Sequence, residues 1–144
     1  MSDAKQAAMA VWAAFGSRDA DQVRAVLTED ACWLAPRGNA TQLALGMAPD
    51  ALETREGIID FLVSRFREAF PDGASFDFTN VIADGSTVVF EERMRGRTST
   101  GRDYDNLYCW VFEMKGERVR RIREYMDTLA GYRMFFGDDA IPAR

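Results

Sequence analysis

The stretch "NLYCWVFEMKGERVRRIREYMDT", residues 106–128, carries the pattern of two paired β-strands. Large apolar side chains recur at every second position from Tyr108 to Met114, which is the period of a strand. The segment "KGE" then supplies the glycine of a tight hairpin turn, and "RVRRIREYMDT" follows as a second strand. These residues therefore predict an antiparallel hairpin near the end of the chain.

The same period of two extends backward to residue 74. "SFDFTNVIA" turns at "DG" into "STVVFEERMRGR", and a loop at "TSTG" leads into "RDYDNLYCWVFEM". Together with the last strand they predict a four-stranded antiparallel meander. A further short strand, "ACWLAP", is predicted much earlier in the chain and is closed by Pro36.

Before the meander the apolar residues follow a helical period. Helices are predicted over residues 3–16, from "SRDADQVRAVL" and from "TREGIIDFLVSRFREAF". Residues 37–54 have no sustained period and predict a long loop. The last segment, "LAGYRMFFGDDAIPAR", is predicted to pack over a pocket mouth or onto a partner subunit. Helices first and a meander afterwards predict an α+β fold, with one curved sheet covered on one side by helices.

Size and composition limit the class of protein. The chain has 144 residues, 47% apolar and 28% charged, which predicts one domain over residues 1–144. Its net charge of −5 gives no electrostatic basis for binding nucleic acid or an anionic membrane. No apolar run approaches the roughly 20 residues of a membrane helix, and the N-terminus lacks the pattern of a secretory signal. Cys32 and Cys109 are expected to be free thiols in a cytoplasmic protein, with one disulfide between them as the alternative.

The absence of histidine narrows the possible chemistry. It excludes a Ser–His pair, a histidine base and a histidine-ligated metal. The chain also contains no CxxC, GxGxxG or GxxxxGK motif. Acid–base chemistry must therefore use carboxylates, tyrosines or the lysines Lys5 and Lys115, and no metal or other cofactor is expected.

The order of predicted elements resembles the nuclear transport factor 2-like superfamily, and more narrowly its SnoaL-like polyketide cyclase and limonene epoxide hydrolase relatives. The most specific part is the quoted hairpin, which ends in a Y-x-D sequence, and "AVWAAFGSRDADQVRAVLTEDACW" is similar as well. The resemblance spans nearly the whole chain. It implies a cone: a curved mixed or antiparallel sheet, with three helices packed in its concave side around an apolar cavity. Members include isomerases, cyclases, hydrolases and dehydratases, and also binding modules.

The resemblance also implies two catalytic residues. In these relatives the aspartate of the final Y-x-D is an acid–base residue, and its match here is Asp127. The epoxide hydrolases use an Arg-x-Asp pair on an earlier strand, for which Arg93 matches the arginine. Arg95 stands where the second aspartate would be, so the epoxide hydrolase mechanism is not carried over intact.

Strand alternation and the resemblance together add residues that would share the cavity face with Asp127 and Arg93. These substrate-binding candidates are Tyr125, Tyr108, Asn106, Trp110, Trp33 and Glu91. An aspartate in an apolar cavity beside an arginine can be tuned toward proton transfer, and a tyrosine or asparagine can donate to a developing enolate oxygen. The structural alternatives are that Asp127 caps a turn, that Arg93 neutralises a carboxylate, and that the aromatic rings are packing. Asp105 and Glu124 are expected to be solvated.

Three functions fit these observations. The first is a metal-free acid–base enzyme acting on a hydrophobic carbonyl compound as an isomerase, cyclase or dehydratase, or as an epoxide hydrolase-like enzyme without one of the usual aspartates. The second is a module that binds a small hydrophobic ligand without turnover, and the third is an interaction domain that uses the outer sheet face. An apolar patch on that outer face predicts a homodimer; it comprises Leu107, Cys109, Val111 and Met126.

Overall fold

The computed structural model describes residues 2–142 and contains one five-stranded mixed sheet. Its strands in chain order are β1 (Leu27–Leu34), β2 (Ala74–Asp84), β3 (Thr87–Arg97), β4 (Asp103–Lys115) and β5 (Arg118–Met126). Their order across the sheet is β1-β5-β4-β3-β2, with β1 parallel to β5 and every other pair antiparallel. The α+β prediction is confirmed, and the quoted hairpin forms the β4–β5 pair. Met1, Ala143 and Arg144, which the predicted domain and tail include, lie outside the described residues.

The helices lie before β2 and after β5. They are α1 (Asp3–Ser17), α2 (Ala20–Ala25), α3 (Ala40–Leu45), α4 (Arg55–Asp60), α5 (Phe66–Ala69) and α6 (Thr128–Phe136). A π-helical segment, Phe61–Arg65, joins α4 to α5 with helical backbone angles at both junctions, so the amphipathic helix predicted from "TREGIIDFLVSRFREAF" is one continuous rod. A π-turn widens the helix locally and is often found at functional sites. No helix of residues 2–142 has both the length and the hydrophobicity needed to cross a membrane.

Two segments are more regular than the sequence indicates. The predicted loop over residues 37–54 contains α3, which begins after Asn39 because the Asn39 side chain accepts a hydrogen bond from the Gln42 amide. The predicted tail begins with α6, and its Phe135 ring packs against Phe70 and Tyr104. A six-residue helix is too short to show a clear hydrophobic period, so the sequence pattern could not predict α3.

A β-bulge determines which side chains of β5 face inward. Glu113 pairs with Arg121 while the next residue, Met114, pairs with Val119, so β5 contains one extra residue at this point. Because side chains alternate along a strand, the extra residue reverses the faces that follow it. Val119, Ile122 and Glu124 are consequently buried on the inner face of the sheet.

The hydrophobic core lies between the concave sheet face and the helices. α1 packs against β2, β3, β4 and β5. At its centre the Trp12 ring contacts aromatic rings from three strands, which are Phe78, Phe90, Trp110 and Phe112. The curved sheet thus closes around α1 as a cone, and the core leaves a cavity between the sheet and the helices.

Candidate functional site

The inner sheet face carries two glutamates among apolar side chains. On β3 the buried row consists of Val88, Phe90, Glu92 and Met94. On β4 it consists of Tyr104, Asn106, Tyr108, Trp110, Phe112 and Met114. On β5 the same face brings Glu124 inward after Ile122.

A cavity of about 300 Å³ opens between this face and the helices. Its apolar walls are formed by Trp12, Phe15, Trp33, Leu52, Phe61, Leu62, Phe66, Phe76, Phe78, Met94 and Trp110. Its polar lining residues include Glu92, Glu124, Tyr108, Asn39, Thr41, Gln42 and Arg18. A concave, mainly aromatic pocket with a few polar groups is the usual form of a small-molecule site.

Glu124 is held by donors from two directions. It is 4% exposed, and its carboxyl group accepts from Trp33 Nε1 at 3.1 Å and from Asn39 Nδ2 at 3.0 and 3.1 Å. The Asn39 amide has a fixed orientation because its oxygen caps α3, which turns its NH₂ group toward Glu124. Burial raises the pKa of Glu124 to about 7, while the hydrogen bonds from Trp33 and Asn39 oppose the rise.

Glu92 is buried without comparable support. It is 2% exposed, and within residues 2–142 neither of its carboxyl oxygens has a hydrogen-bond partner. Burial raises its pKa to about 8; the Trp110 indole N–H opposes the rise without completing a hydrogen bond, and the Glu124 carboxyl adds to it. The indole nitrogens of Trp12 and Trp110 are also unpaired in the described chain. Most buried polar groups in proteins are paired, so these three cavity-lining groups, from the sheet and from α1, have hydrogen-bonding capacity that a ligand in the cavity could use.

The two carboxyl groups flank a pair of stacked rings. Tyr108 and Trp110 lie on β4 with ring centroids 5.6 Å apart and planes 10° from parallel. Across the sheet, Glu92 pairs with Tyr108 and Glu124 pairs with Trp110. A ligand lying over these rings would therefore have one carboxyl group on each side. Both groups titrate near neutral pH, which suits proton transfer.

Four of the six predicted substrate-binding residues are on the inner side. Tyr108, Trp110 and Trp33 line the cavity. Asn106 is buried next to it, where its side chain donates to the Tyr104 hydroxyl and to the Asp127 carbonyl oxygen.

The predicted inward orientation of Glu91 and Arg93 is wrong. Both project from the outer face of β3, and Arg93 Nε and Nη2 donate to the Asp105 carboxylate at 2.8 and 2.6 Å. The physical reason is that apolar Val88, Phe90 and Met94 take the inner face, and alternation then turns the intervening residues outward. The Arg93–Asp127 arrangement that the resemblance implied, including its epoxide hydrolase form, is absent from the cavity.

The predicted orientation of Asp127 and Tyr125 is wrong as well. β5 ends at Met126, and the exposed Asp127 caps α6 by accepting from the Ala130 amide at 2.9 Å. Tyr125 is 54% exposed on the outer face because the bulge reverses the strand. The same reversal buries Glu124, which was expected to be solvated, whereas Asp105 is exposed as expected. Among residues 2–142 no group of three or more Asp, Glu or Cys side chains could hold a metal ion.

Comparisons with known proteins agree with this architecture. A family model described as "SnoaL-like domain" matches residues 8–122. Among solved structures, an NTF2-like protein of unknown function from Burkholderia pseudomallei superimposes with a TM-score of 0.79 and 20% identity, covering 94% of this chain and 99% of that one. TerC, co-crystallised with polyporic acid, superimposes with a TM-score of 0.75 and 21% identity, and the match covers 93% of this chain and 98% of TerC. A proposed SnoaL-like polyketide cyclase from Jannaschia sp. CCS1 superimposes with a TM-score of 0.70 and 19% identity, and the match covers 94% of each chain. No curated protein sequence matches significantly.

Proposed function

The chain belongs to the SnoaL-like domain family, and on that premise we propose that it is a small-molecule enzyme using carboxylate acid–base catalysis on a hydrophobic carbonyl compound. The reaction would be an isomerisation, a cyclisation or a dehydration, each of which begins with proton removal next to a carbonyl group. The observation that carries the proposal is the pair of buried carboxyl groups, Glu92 and Glu124, in one aromatic cavity. The fold neighbours, among them a proposed polyketide cyclase and TerC with polyporic acid, support a small-molecule function.

The surroundings of the two glutamates support a different proposed role for each. Glu124 receives hydrogen bonds from Trp33 and Asn39, which favour its ionised form, so it is the base that removes the carbon-bound proton. Within the described chain Glu92 lacks hydrogen bonds like those that Trp33 and Asn39 give to Glu124, and its pKa of about 8 keeps it mostly protonated at pH 7. It is therefore the acid that gives its proton to the carbonyl oxygen as the enol forms. Different environments for two carboxyl groups in one site are a common basis of acid–base catalysis.

The test is hydrogen–deuterium exchange at the carbon next to a carbonyl group, because it reports proton removal whatever reaction follows. The probe is 2-tetralone in D₂O, followed by proton NMR. We expect the protein to accelerate exchange and Glu124→Gln to slow it about 100-fold or more. Asp127→Asn retains a good helix cap for α6 and serves as the matched control, with exchange unchanged. An equal decrease of the exchange rate in both variants, or no acceleration of exchange by the wild-type protein, would contradict the assignment of Glu124 as the base.

A ligand-binding module without turnover is the second candidate. It is favoured by the unpaired Glu92 carboxyl and the unpaired indole nitrogens of Trp12 and Trp110, which binding alone would satisfy. Saturable binding of 2-tetralone without any exchange would select this function over catalysis.

We further propose that two copies associate through the outer sheet face in the cytoplasm. The support is an exposed apolar patch: Leu107 is 65% exposed and shares the outer face with the exposed Tyr125 and the half-buried Cys109 and Val111. The predicted place of Met126 on this face is wrong, because the bulge in β5 sets Met126 opposite the inward-facing Tyr108. The free thiols of Cys32 and Cys109 support a reducing compartment. Sedimentation velocity should give a dimer for the wild-type protein at micromolar concentration and a monomer for Leu107→Lys. A monomeric wild-type protein would contradict the proposal.

A further inference from the structure

Three polar side chains of β4 form a chain of hydrogen bonds that ends at the cavity. Tyr104, Asn106 and Tyr108 are all buried on the inner face. The Asn106 amide can have only one orientation: its oxygen accepts from the Leu107 amide at 2.9 Å, and its nitrogen donates to the Asp127 carbonyl oxygen at 3.0 Å. Its NH₂ group therefore also donates to the Tyr104 hydroxyl oxygen, at 3.3 Å.

The fixed amide determines the direction of the next hydrogen bond. The Tyr104 and Tyr108 hydroxyl groups are bonded to each other. If Tyr108 donated, the Tyr104 hydroxyl would accept twice and its own proton would have no acceptor in the described part of the chain, which is costly for a buried group. Tyr104 therefore donates to Tyr108, and the Tyr108 proton is left for another acceptor. Because Tyr108 lines the cavity, that proton is available to an acceptor within the cavity.

We propose that the Tyr108 hydroxyl donates a hydrogen bond to an oxygen atom of the ligand, and that Tyr104 and Asn106 are positioning residues that fix its direction. The ligand class is therefore a flat apolar molecule that carries an acceptor oxygen, such as a ketone or its enolate. Successive hydrogen bonds polarise one another, so the relay strengthens the last donor. Burial holds the pKa of Tyr108 well above its ordinary value, which keeps this group protonated.

The donor is placed where the proposed chemistry needs it. Glu92 pairs with Tyr108 across β3 and β4, so the Tyr108 hydroxyl and the protonated Glu92 carboxyl belong to the same side of the cavity. An enolate oxygen formed by proton removal would be stabilised there. The stabilisation of an enolate by Tyr108 rests on the proposed function. The hydrogen bond from Tyr108 to an oxygen atom of a bound ligand does not depend on it. Asp127 takes part through its backbone, because its carbonyl oxygen anchors Asn106.

The experiment compares 2-tetralone with tetralin, which has the same carbon skeleton without the oxygen. Isothermal titration gives the affinities, and infrared difference spectroscopy with ¹³C-carbonyl-labelled 2-tetralone gives the carbonyl stretching frequency. We expect the wild-type protein to bind the ketone more tightly and to shift its carbonyl band to lower frequency. Tyr108→Phe should weaken ketone binding about tenfold, return the band toward its unbound position and leave tetralin binding unchanged. Tyr125→Phe, the same change on the outer face, is the matched control and should have no effect.

Tyr104→Phe separates the positioning role from a structural one. It keeps the Tyr108 hydroxyl but removes the group that orients it, so the carbonyl band should broaden and move part of the way back while tetralin binding stays the same. An unchanged carbonyl band in Tyr108→Phe, or no saturable binding of 2-tetralone by the wild-type protein, would overturn the proposal. A band shift that depends on Tyr108, without proton exchange in the wild-type protein, would support this inference and remove only the catalytic function.

Discussion

Replacing Glu92 by glutamine should make the protein more stable at high pH and leave its stability nearly unchanged at low pH. The Glu92 carboxyl is buried without a hydrogen-bond partner, and its pKa rises from 4.5 to about 8 on folding. Between these two values the folded state binds a proton that the unfolded state has released, so the free energy of unfolding decreases as the pH rises from about 4.5 to about 8. Below that range both states are protonated and the loss disappears.

The size of the effect follows from the same pKa values. Each unit of pH in this window lowers the free energy of unfolding by about 1.4 kcal/mol, so the cost of Glu92 is about 3 kcal/mol at pH 7 and about 4 kcal/mol at pH 8. Glutamine has a similar shape and does not ionise. Glu92→Gln should therefore raise the free energy of unfolding by about 4 kcal/mol at pH 8 and change it by less than about 1 kcal/mol at pH 4.5.

Urea unfolding, followed by tryptophan fluorescence at several pH values between 4.5 and 9, measures this difference. Glu91→Gln removes the neighbouring carboxylate on the exposed outer face and is the matched control, with a change in the free energy of unfolding within about 0.5 kcal/mol. A Glu92→Gln effect that is the same at pH 4.5 and pH 8 would refute the reasoning, because it would mean that Glu92 is ionised in the folded protein. The stabilised variant should also lose proton exchange on 2-tetralone, since stability and function often conflict at buried polar sites.

Further predictions concern the support of Glu124 and the packing around two helix glycines, one in α4 and one in α1. Asn39→Ser retains a cap for α3 but removes the hydrogen bonds to Glu124, so the pKa of Glu124, measured by ¹³C NMR of its carboxyl group, should rise by about 1–2 units; an unchanged value would show that Asn39 does not support the carboxylate. Gly57→Ala would force a Cβ atom against the Ala51 carbonyl oxygen and should destabilise the protein by about 2–3 kcal/mol in urea unfolding. Gly16→Ala meets open space in α1 and should stabilise it by about 0.5–1 kcal/mol; similar effects of the two changes would contradict the packing argument.

The architecture could be predicted from the sequence because its signals are long and local. The period of two persists from residue 74 to 126, and glycines occur at the turns after Asp84 and Lys115. These features specify the meander, and the amphipathic helix that precedes it provides an apolar face that packs on one side of the sheet. Periodicity gave no information on the parallel pairing of β1 with β5, because that contact joins distant parts of the chain.

The site was harder to predict because orientation depends on single residues. On β4 the alternation is unbroken, and the inward direction of Tyr108 and Trp110 follows from it. On β3 the row Val88, Phe90 and Met94 already marks the inner face and could have identified Glu92, but a carboxylate in that row looks like an exception. On β5 the bulge is invisible in the sequence, since it arises from pairing with β4.

That bulge has a consequence for how such a protein could acquire new chemistry. β5 carries two alternative linings, one with Glu124 and the other with Arg123 and Tyr125, and the length of the strand decides which of them enters the cavity. Inserting one codon after Ile122, without a second bulge, would turn Arg123 and Tyr125 inward and Glu124 outward. The cavity-facing side of β5 would then present a guanidinium and a phenol in place of a carboxylate, although no existing codon had changed. In this fold, gain or loss of a single residue is an evolutionary step that can replace the chemistry of a whole strand at once.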